Sequence, residues 1–311
     1  MNFILKKLTT MIITLLVLSF LSFAAFEMVG DPVATILGTN ATPEAAAELR
    51  AELGLDRPLP VRYGSWLVDF FRGDWGESYI YHIPVRDMIH EKFVITVTLT
   101  LMGFFLAVLL AIPIGLYSAR REGQWIDRAI TVLSQILMAI PPFFVAILLT
   151  IFFGLLLKIF TPGTFVSYQD NLGKFVGYMI FPAISIALPR IAMTVKMLRT
   201  TVLGEMQKDY IRTAYSRGHS RQTALKQHAF KNGLLPVITF LAANMAEMLA
   251  GCIVIEQIFS VPGIGRLLMT SISSRDIPTV EAIVMILALW VMIVHFIGEL
   301  LNDAVDPRLH G

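Results

Sequence analysis

The chain holds one cysteine in 311 residues, Cys252, and it sits inside an apolar run. One thiol excludes an intrachain disulfide, and in such a setting it acts as a small packing residue. No cluster of cysteine and histidine has the spacing of a zinc site. Charge is scarce too: 15% of the residues are charged, where a soluble domain carries about 25%. The 25 basic and 23 acidic residues leave a net charge of +2, too small to imply nucleic acid as a partner. Three enzyme signatures are missing. There is no G-x-x-x-x-G-K-[ST] phosphate loop, so the chain does not hydrolyse ATP itself. His90-Glu91 is followed by Val94 where a zinc protease has its second histidine. No Gly-x-Ser-x-Gly elbow occurs. The expectation is therefore a protein that is not an enzyme, with no catalytic residue, metal ligand or cofactor of its own. Repeats and low-complexity tracts are absent as well.

What is present is apolar sequence: 56% hydrophobic residues and a mean hydropathy of +0.69. The few charges are clustered, which leaves long runs without them. A hydrocarbon core about 30 Å thick takes roughly 20 apolar residues of helix to cross. Six stretches qualify, at about 8–29, 93–118, 129–157, 176–198, 234–259 and 280–300. The first follows Lys6 and Lys7 but exceeds the roughly 7–15 residues of a signal-peptide core, so it is expected to stay as a helix. The fold class is an all-α integral membrane protein with six transmembrane helices, bound by the lipid bilayer.

Lys and Arg in the loops set the orientation. With the N-terminus cytoplasmic, the inner segments hold Lys6, Lys7, Arg120, Arg121, Arg128, the basic run from Arg199 to Lys231, and Arg308. The short outer loops hold only Lys158, Lys174, Arg266 and Arg275. Both termini are thus expected in the cytoplasm. The chain divides into residues 1–29 with helix one, an extracytoplasmic helical segment 30–92, and a five-helix core 93–311 with a cytoplasmic loop at 199–233. In the outer segment, Thr42-Pro43-Glu44 predicts a helix start, with Thr as N-cap, Pro at the first position and an acid in the first turn. Gly54 is placed to end that helix. Tyr63, Trp66, Leu67 and Phe70 then recur at helical spacing and predict an amphipathic helix with an aromatic face. That face fits the membrane interface, the outer mouth of the bundle, or simple packing on neighbouring helices.

The loop 199–233 is basic and too polar for lipid. Residues 209–218 predict a helix and a turn centred on Gly218; Ser220 caps a second helix from Arg221 to about Asn232, which leads into the fifth crossing. A helix lying across the membrane face between two spans can act as a lever, with Ala214 and Gly218 small enough for close approach of a partner. A solvated basic loop on anionic lipid fits the same residues.

These residues resemble the cytoplasmic EAA loop of ABC importer permeases, in the form of the peptide and nickel branch: Asp-Tyr-x-Arg-Thr-Ala-x-x-x-Gly at 209–218, then Asn-x-Leu-Leu-Pro at 232–236. The resemblance runs nearly the whole chain. It takes in Gly30-Asp31-Pro32, Leu53 to Leu59, Tyr63-x-x-Trp66, Gly73-Asp74-Trp75-Gly76-Glu77-Ser78 and Pro84-Val85. It continues through Ile112-Pro113-Ile114-Gly115, Pro141-Pro142, Glu256 to Gly265, Arg275-Asp276-Ile277-Pro278 and Asp306-Pro307-Arg308. It is the first permease of the pair, the kind with a long outer segment, that the chain resembles. The resemblance implies a second permease subunit, two ATPase subunits beneath that hold ATP and Mg, and an extracytoplasmic solute-binding protein. It implies import of di- or oligopeptides, with nickel or a metal chelate as the alternative within the branch. It places ATPase contact on Tyr210, Arg212, Thr213, Ala214, Arg217, Gly218 and Arg221. Arg212 stands where the general motif has glutamate, and Gly233 stands where alanine is common, so the second loop helix is expected to end or bend early.

Polar residues inside spans point to function. Asn244 and Glu247 share a helix face and are candidates for the pore lining, with interhelical hydrogen bonding as the plainer role. Glu256 falls near the outer end, Lys196 can snorkel, and Arg190 needs a partner the sequence does not supply. His295 in the sixth span reads as structural. Prolines 141, 142, 182 and 189 mark kinks. An ion-coupled carrier would need paired broken helices near the midplane, and no convincing pair is found.

Overall fold

The computed structural model describes residues 2–29, 32–37 and 42–305. The motif residues Gly30, Asp31 and Asp306 to Arg308 lie outside the described residues. In chain order the helices are α1 (Asn2–Val29), α2 (Pro32–Leu37), α3 (Pro43–Glu52), α4 (Leu59–Arg72), α5 (Val85–Arg120), α6 (Trp125–Ala139) and α7 (Pro142–Leu149). Then follow α8 (Leu172–Glu205), α9 (Asp209–Ser216), α10 (Arg221–Ala224), α11 (Phe230–Phe259), α12 (Ile264–Ser274) and α13 (Ile277–Val305). Two π-helical stretches, Thr150–Leu156 and Leu225–Ala229, extend α7 and join α10 to α11. Helices are what the composition demands, because lipid offers no partner for free backbone groups.

Among the described residues five helices are long and apolar enough to cross a membrane: Leu5–Phe26, Val85–Arg120, Leu172–Glu205, Arg221–Phe259 and Ile277–Leu301. The predicted third span is instead a bent pair, Trp125–Ala139 and Pro142–Leu156, at 97°. The sixth crossing exists if that pair crosses as one. The break has a local cause. A residue before proline is pushed out of the helical region, and Ile140 (φ −89°, ψ 121°) and Pro141 (φ −63°, ψ 145°) both obey. Pro113, Pro182, Pro189 and Pro236, each with a helical neighbour before it, lie inside continuous helices.

Contacts divide the chain into two compact units, Met1–Ile95 with Pro262–Met292, and Thr96–Val261 with Ile293–Gly311. In the first unit, Thr42 caps α3 by accepting from Ala45 N at 3.3 Å, and Gly54 ends the turn after it at φ +66°. The aromatic face of α4 packs on α1. The Tyr63 and Ser19 hydroxyls are 2.7 Å apart, and Phe23 meets Tyr63 and Trp66 at ring distances of 5.8 and 5.6 Å. Trp66, Phe70 and Trp75 continue the row. Packing on a neighbour is therefore what the aromatic spacing encodes. Two of the sequence motifs meet at buried Asp276. Its Oδ2 accepts from Ser78 Oγ at 2.6 Å and Thr279 Oγ1 at 2.8 Å, and its Oδ1 from Tyr79 N at 3.0 Å. One carboxylate thus caps the start of α13 and pins the Gly-Asp-Trp-Gly-Glu-Ser segment.

In the second unit α8 is the central span and α11 its main partner. Two glycines set the approach of the backbones. A Cβ on Gly233 would stand 3.1 Å from Val202 N and Cγ2, and one on Gly115 3.2 Å from Val195 O and Leu198 Cβ. So Gly233 does not end the loop helix. The helix runs unbroken from Arg221 to Phe259, and Gly233 lets it lie close on α8. Glu256 is fully buried rather than interfacial and accepts from Thr96 Oγ1 at 2.5 Å; Cys252, also buried, lies 3.2 Å from Thr100 Oγ1.

Replacing Asp276 by Ala leaves three donors without their acceptor, each worth about 1–3 kcal/mol when buried and unpaired. The Asp276→Ala protein is expected to melt at a lower temperature in detergent and to be cut by protease between residues 77 and 84 before the wild type is. Equal melting and equal protection would show that the knot anchors nothing.

Candidate coupling site and membrane polar cluster

Helix α9 has two faces. Ile211 and Ala214, three apart, are both buried, and Ile211 joins a core made with Leu198, Val202 and Leu203 of α8, Ala224 and Leu225 before α11, and Val237 and Leu241 within it. Arg212, Thr213, Tyr215, Ser216 and Arg217 are exposed. Ala214 is therefore small in order to seat α9 on its own chain, and its side chain offers no surface to a partner. The exposed Arg212–Asp209 pair, at 3.3 Å, adds little, as exposed pairs do.

The turn after α9 explains Gly218. It has φ +85°, a conformation that side chains other than glycine's resist, and open space lies where its Cβ would be. His219 N donates back to Ala214 O at 3.1 Å, and Gly218 N to Tyr215 O at 2.9 Å, the pattern of a Schellman stop. Ser220 then accepts from Thr223 N at 3.3 Å and starts α10. His219 and His228 stack across the turn with Nδ1 and Nε2 3.3 Å apart. Tyr210 is half-buried and donates to Glu205 Oε2 at 2.7 Å. Burial and the neighbouring Glu205 push its phenol above the usual range, so it stays a neutral donor.

This module is fastened to the rest of the unit by charge pairs whose partners the sequence does not show. Asp127, buried in the first turn of α6, takes both oxygens to Arg199 of α8: Nε to Oδ1 at 2.6 Å and Nη2 to Oδ2 at 2.7 Å. Ser118 Oγ donates to Oδ1 at 2.6 Å and Gly123 N to Oδ2 at 2.9 Å. Nearby, Arg221 pairs with Glu122 and Arg120 donates to Gln222. Arg221 is thus engaged within its own chain, whereas Arg212 and Arg217 point outward. No local pattern marks Asp127. It reads as an ordinary acid in a helix's first turn, and its partner lies 72 residues on.

The polar span residues also come together. Arg190 of α8 donates from Nη1 to Asn244 Oδ1 at 2.8 Å and to Glu247 Oε2 at 2.6 Å. The partner missing from the sequence is the candidate pair on α11. The exposed stripe of that helix runs Thr239, Ala243, Glu247, Ala250, Val254 and Gln257, with Ala243 half-buried. Helix α1, by contrast, exposes Ile12, Ile13, Leu16, Val17 and Leu21. Apart from Val254 the stripe is of small and polar side chains; with a carboxylate at its middle it is unsuited to hydrocarbon and belongs against protein or water. His295 is exposed on α13.

Two family models match this chain. The one described as "Binding-protein-dependent transport system inner membrane component" covers residues 111–311, and its N-terminal companion covers residues 1–100. Among curated relatives, a protein of Brucella suis named as a peptide transport system permease is 34% identical over 99% of this chain and 98% of its own length. The glutathione transport system permease of Salmonella choleraesuis is 29% identical over 99% of each chain, and the dipeptide transport system permease of Alkalihalophilus pseudofirmus is 28% identical over 98% of each. The chain belongs to the family of binding-protein-dependent transport system inner membrane components, and is a multi-pass permease subunit of the inner membrane.

Proposed function

We propose that this subunit pairs with a second permease to form the path of an ATP-driven importer for di- or oligopeptides. The names of the relatives, with peptide, dipeptide and glutathione among them, support that substrate class. The observation that carries the coupling is the division of α9: an outer face of Arg212, Thr213, Tyr215 and Arg217 left open, and an inner face sealed into a core shared with α8 and α11. A soluble ATPase subunit docks on the outer face. Its closure on ATP and Mg, both held by the ATPase pair, pushes α9, and α8 and α11 move with it as rigid rods. In this reading the loop and both termini face the cytoplasm, residues 30–92 face outside, and a solute-binding protein delivers substrate to that side. The small and polar stripe of α11 lines the path.

Two experiments test this. Gly218→Val places a β-branched residue at φ +85°, with strain of about 1–3 kcal/mol. The variant is expected to insert and assemble but to lose most ATP-dependent peptide uptake; uptake equal to wild type refutes the lever. A cysteine at Ala47 is expected to react with a membrane-impermeant thiol reagent added outside intact cells, over a low background because Cys252 is buried. Labelling only after permeabilisation reverses the orientation.

A further inference from the structure

The cluster of Arg190, Asn244 and Glu247 is built asymmetrically. The base is covered and the acid is open: the side chain of Arg190 is 17% exposed and that of Glu247 is 62% exposed. If the pair served only to glue α8 to α11, both members would be enclosed, because a carboxylate turned out of the protein within a span is costly. Glu247 takes Arg190 on Oε2 alone, and among the described residues Oε1 accepts no hydrogen bond. Beside it Asn244, 3% exposed, accepts from Arg190 on Oδ1, while its buried Nδ2 has no partner. The cluster thus keeps one acceptor and one donor unused, in a region where unused polar groups are expensive. It sits midway along the exposed stripe of α11, so a solute moving along that stripe meets the carboxylate first.

We infer that Glu247 is a transient station for the ammonium group of the transported peptide. This rests on the importer reading above and gives that path a chemical preference. An ammonium donates three hydrogen bonds and carries the charge that Glu247 lacks on its open side. Arg190 is a positioning residue. It fixes the carboxylate and, by sharing it, keeps the station weak, as conduction requires a site that releases what it binds. The same chemistry is offered by a peptide's α-amino group and by a lysine side chain.

The test uses the complete complex, with its partner permease, ATPases and binding protein, reconstituted in vesicles. Uptake is measured for trialanine, N-acetyl-trialanine and an N-acetylated peptide carrying one lysine, each at concentrations that saturate the binding protein. Because the same binding protein serves every variant, a change in the ratio of uptake rates belongs to the permease. Glu247→Gln is expected to lower trialanine uptake about tenfold, in line with loss of one charged hydrogen bond, while uptake of N-acetyl-trialanine changes far less. Glu247→Asp is expected to restore the preference. A lysine peptide that also depends on Glu247 assigns the station to any ammonium, and one that does not assigns it to the α-amino group. Equal loss for trialanine and its acetylated form, or no loss for either, overturns the station and leaves the importer standing. Absence of any ATP-dependent peptide uptake by the wild type overturns the importer reading, and the station with it.

Discussion

The coupling proposed for this subunit depends on whether a push on α9 reaches the spans without being absorbed on the way, and that depends on Asp127 and Arg199. The two side chains meet through two parallel hydrogen bonds, and the carboxylate is completed by Ser118 and Gly123. A buried acid with four donors is fully satisfied; removing its charge or its partner leaves the other uncompensated, at a cost of about 3–5 kcal/mol. The pair locks the start of α6 to the end of α8, four residues after the core position Val195 and three before Val202, which touches Gly233 of α11. Three helices are thereby joined at the base of the loop. Glu122 with Arg221 and Gln222 with Arg120 extend the same joint to α10. The apolar core around Ile211 gives α9 its seat, and the ion pair fixes that seat's position relative to the spans.

Much of this was legible in the sequence wherever the signal is local. Apolar run length gave the spans, Thr42 and Pro43 gave the start of α3, and the spacing of Tyr63, Trp66 and Phe70 gave an aromatic helix face. The αL turn at Gly218 was legible because few other residues tolerate φ +85°. Where the reading departed from the structure, the deciding contact lay elsewhere in the chain. Gly233 looked like a helix stop because glycine is a poor helix former. In the fold its missing side chain is what allows α8 and α11 to touch, and helix packing outweighs propensity. Ala214 looked like a docking surface, yet its periodicity with Ile211 places it inward. Glu256 looked interfacial by depth, but Thr96, 160 residues earlier, encloses it. Two consecutive prolines were read as a kink within a span, and they produce a 97° break, because both Ile140 and Pro141 are driven out of helical geometry.

In a medium without water the polar residues of the spans are costly unless they find a partner. Glu256 and Thr96 find one within the chain. Asn244 and Glu247 are satisfied in part, through Arg190; Glu247 lies on the exposed stripe of α11, and Asn244 is buried beside it. That contrast separates Glu256, enclosed within the chain, from Glu247, whose outer side is open and is proposed to face the path.

The most direct test of the central claim is to measure ATP hydrolysis and peptide uptake in the same vesicles for the complex carrying Asp127→Asn. The amide keeps the size of the side chain and some of its hydrogen bonds but removes the charge that grips Arg199. The account predicts that ATP is still hydrolysed while uptake per ATP falls about fivefold or more, as expected when a joint worth about 3–5 kcal/mol is loosened. Uptake per ATP equal to that of the wild type would contradict it, and would mean that force reaches the spans by a route other than this pair.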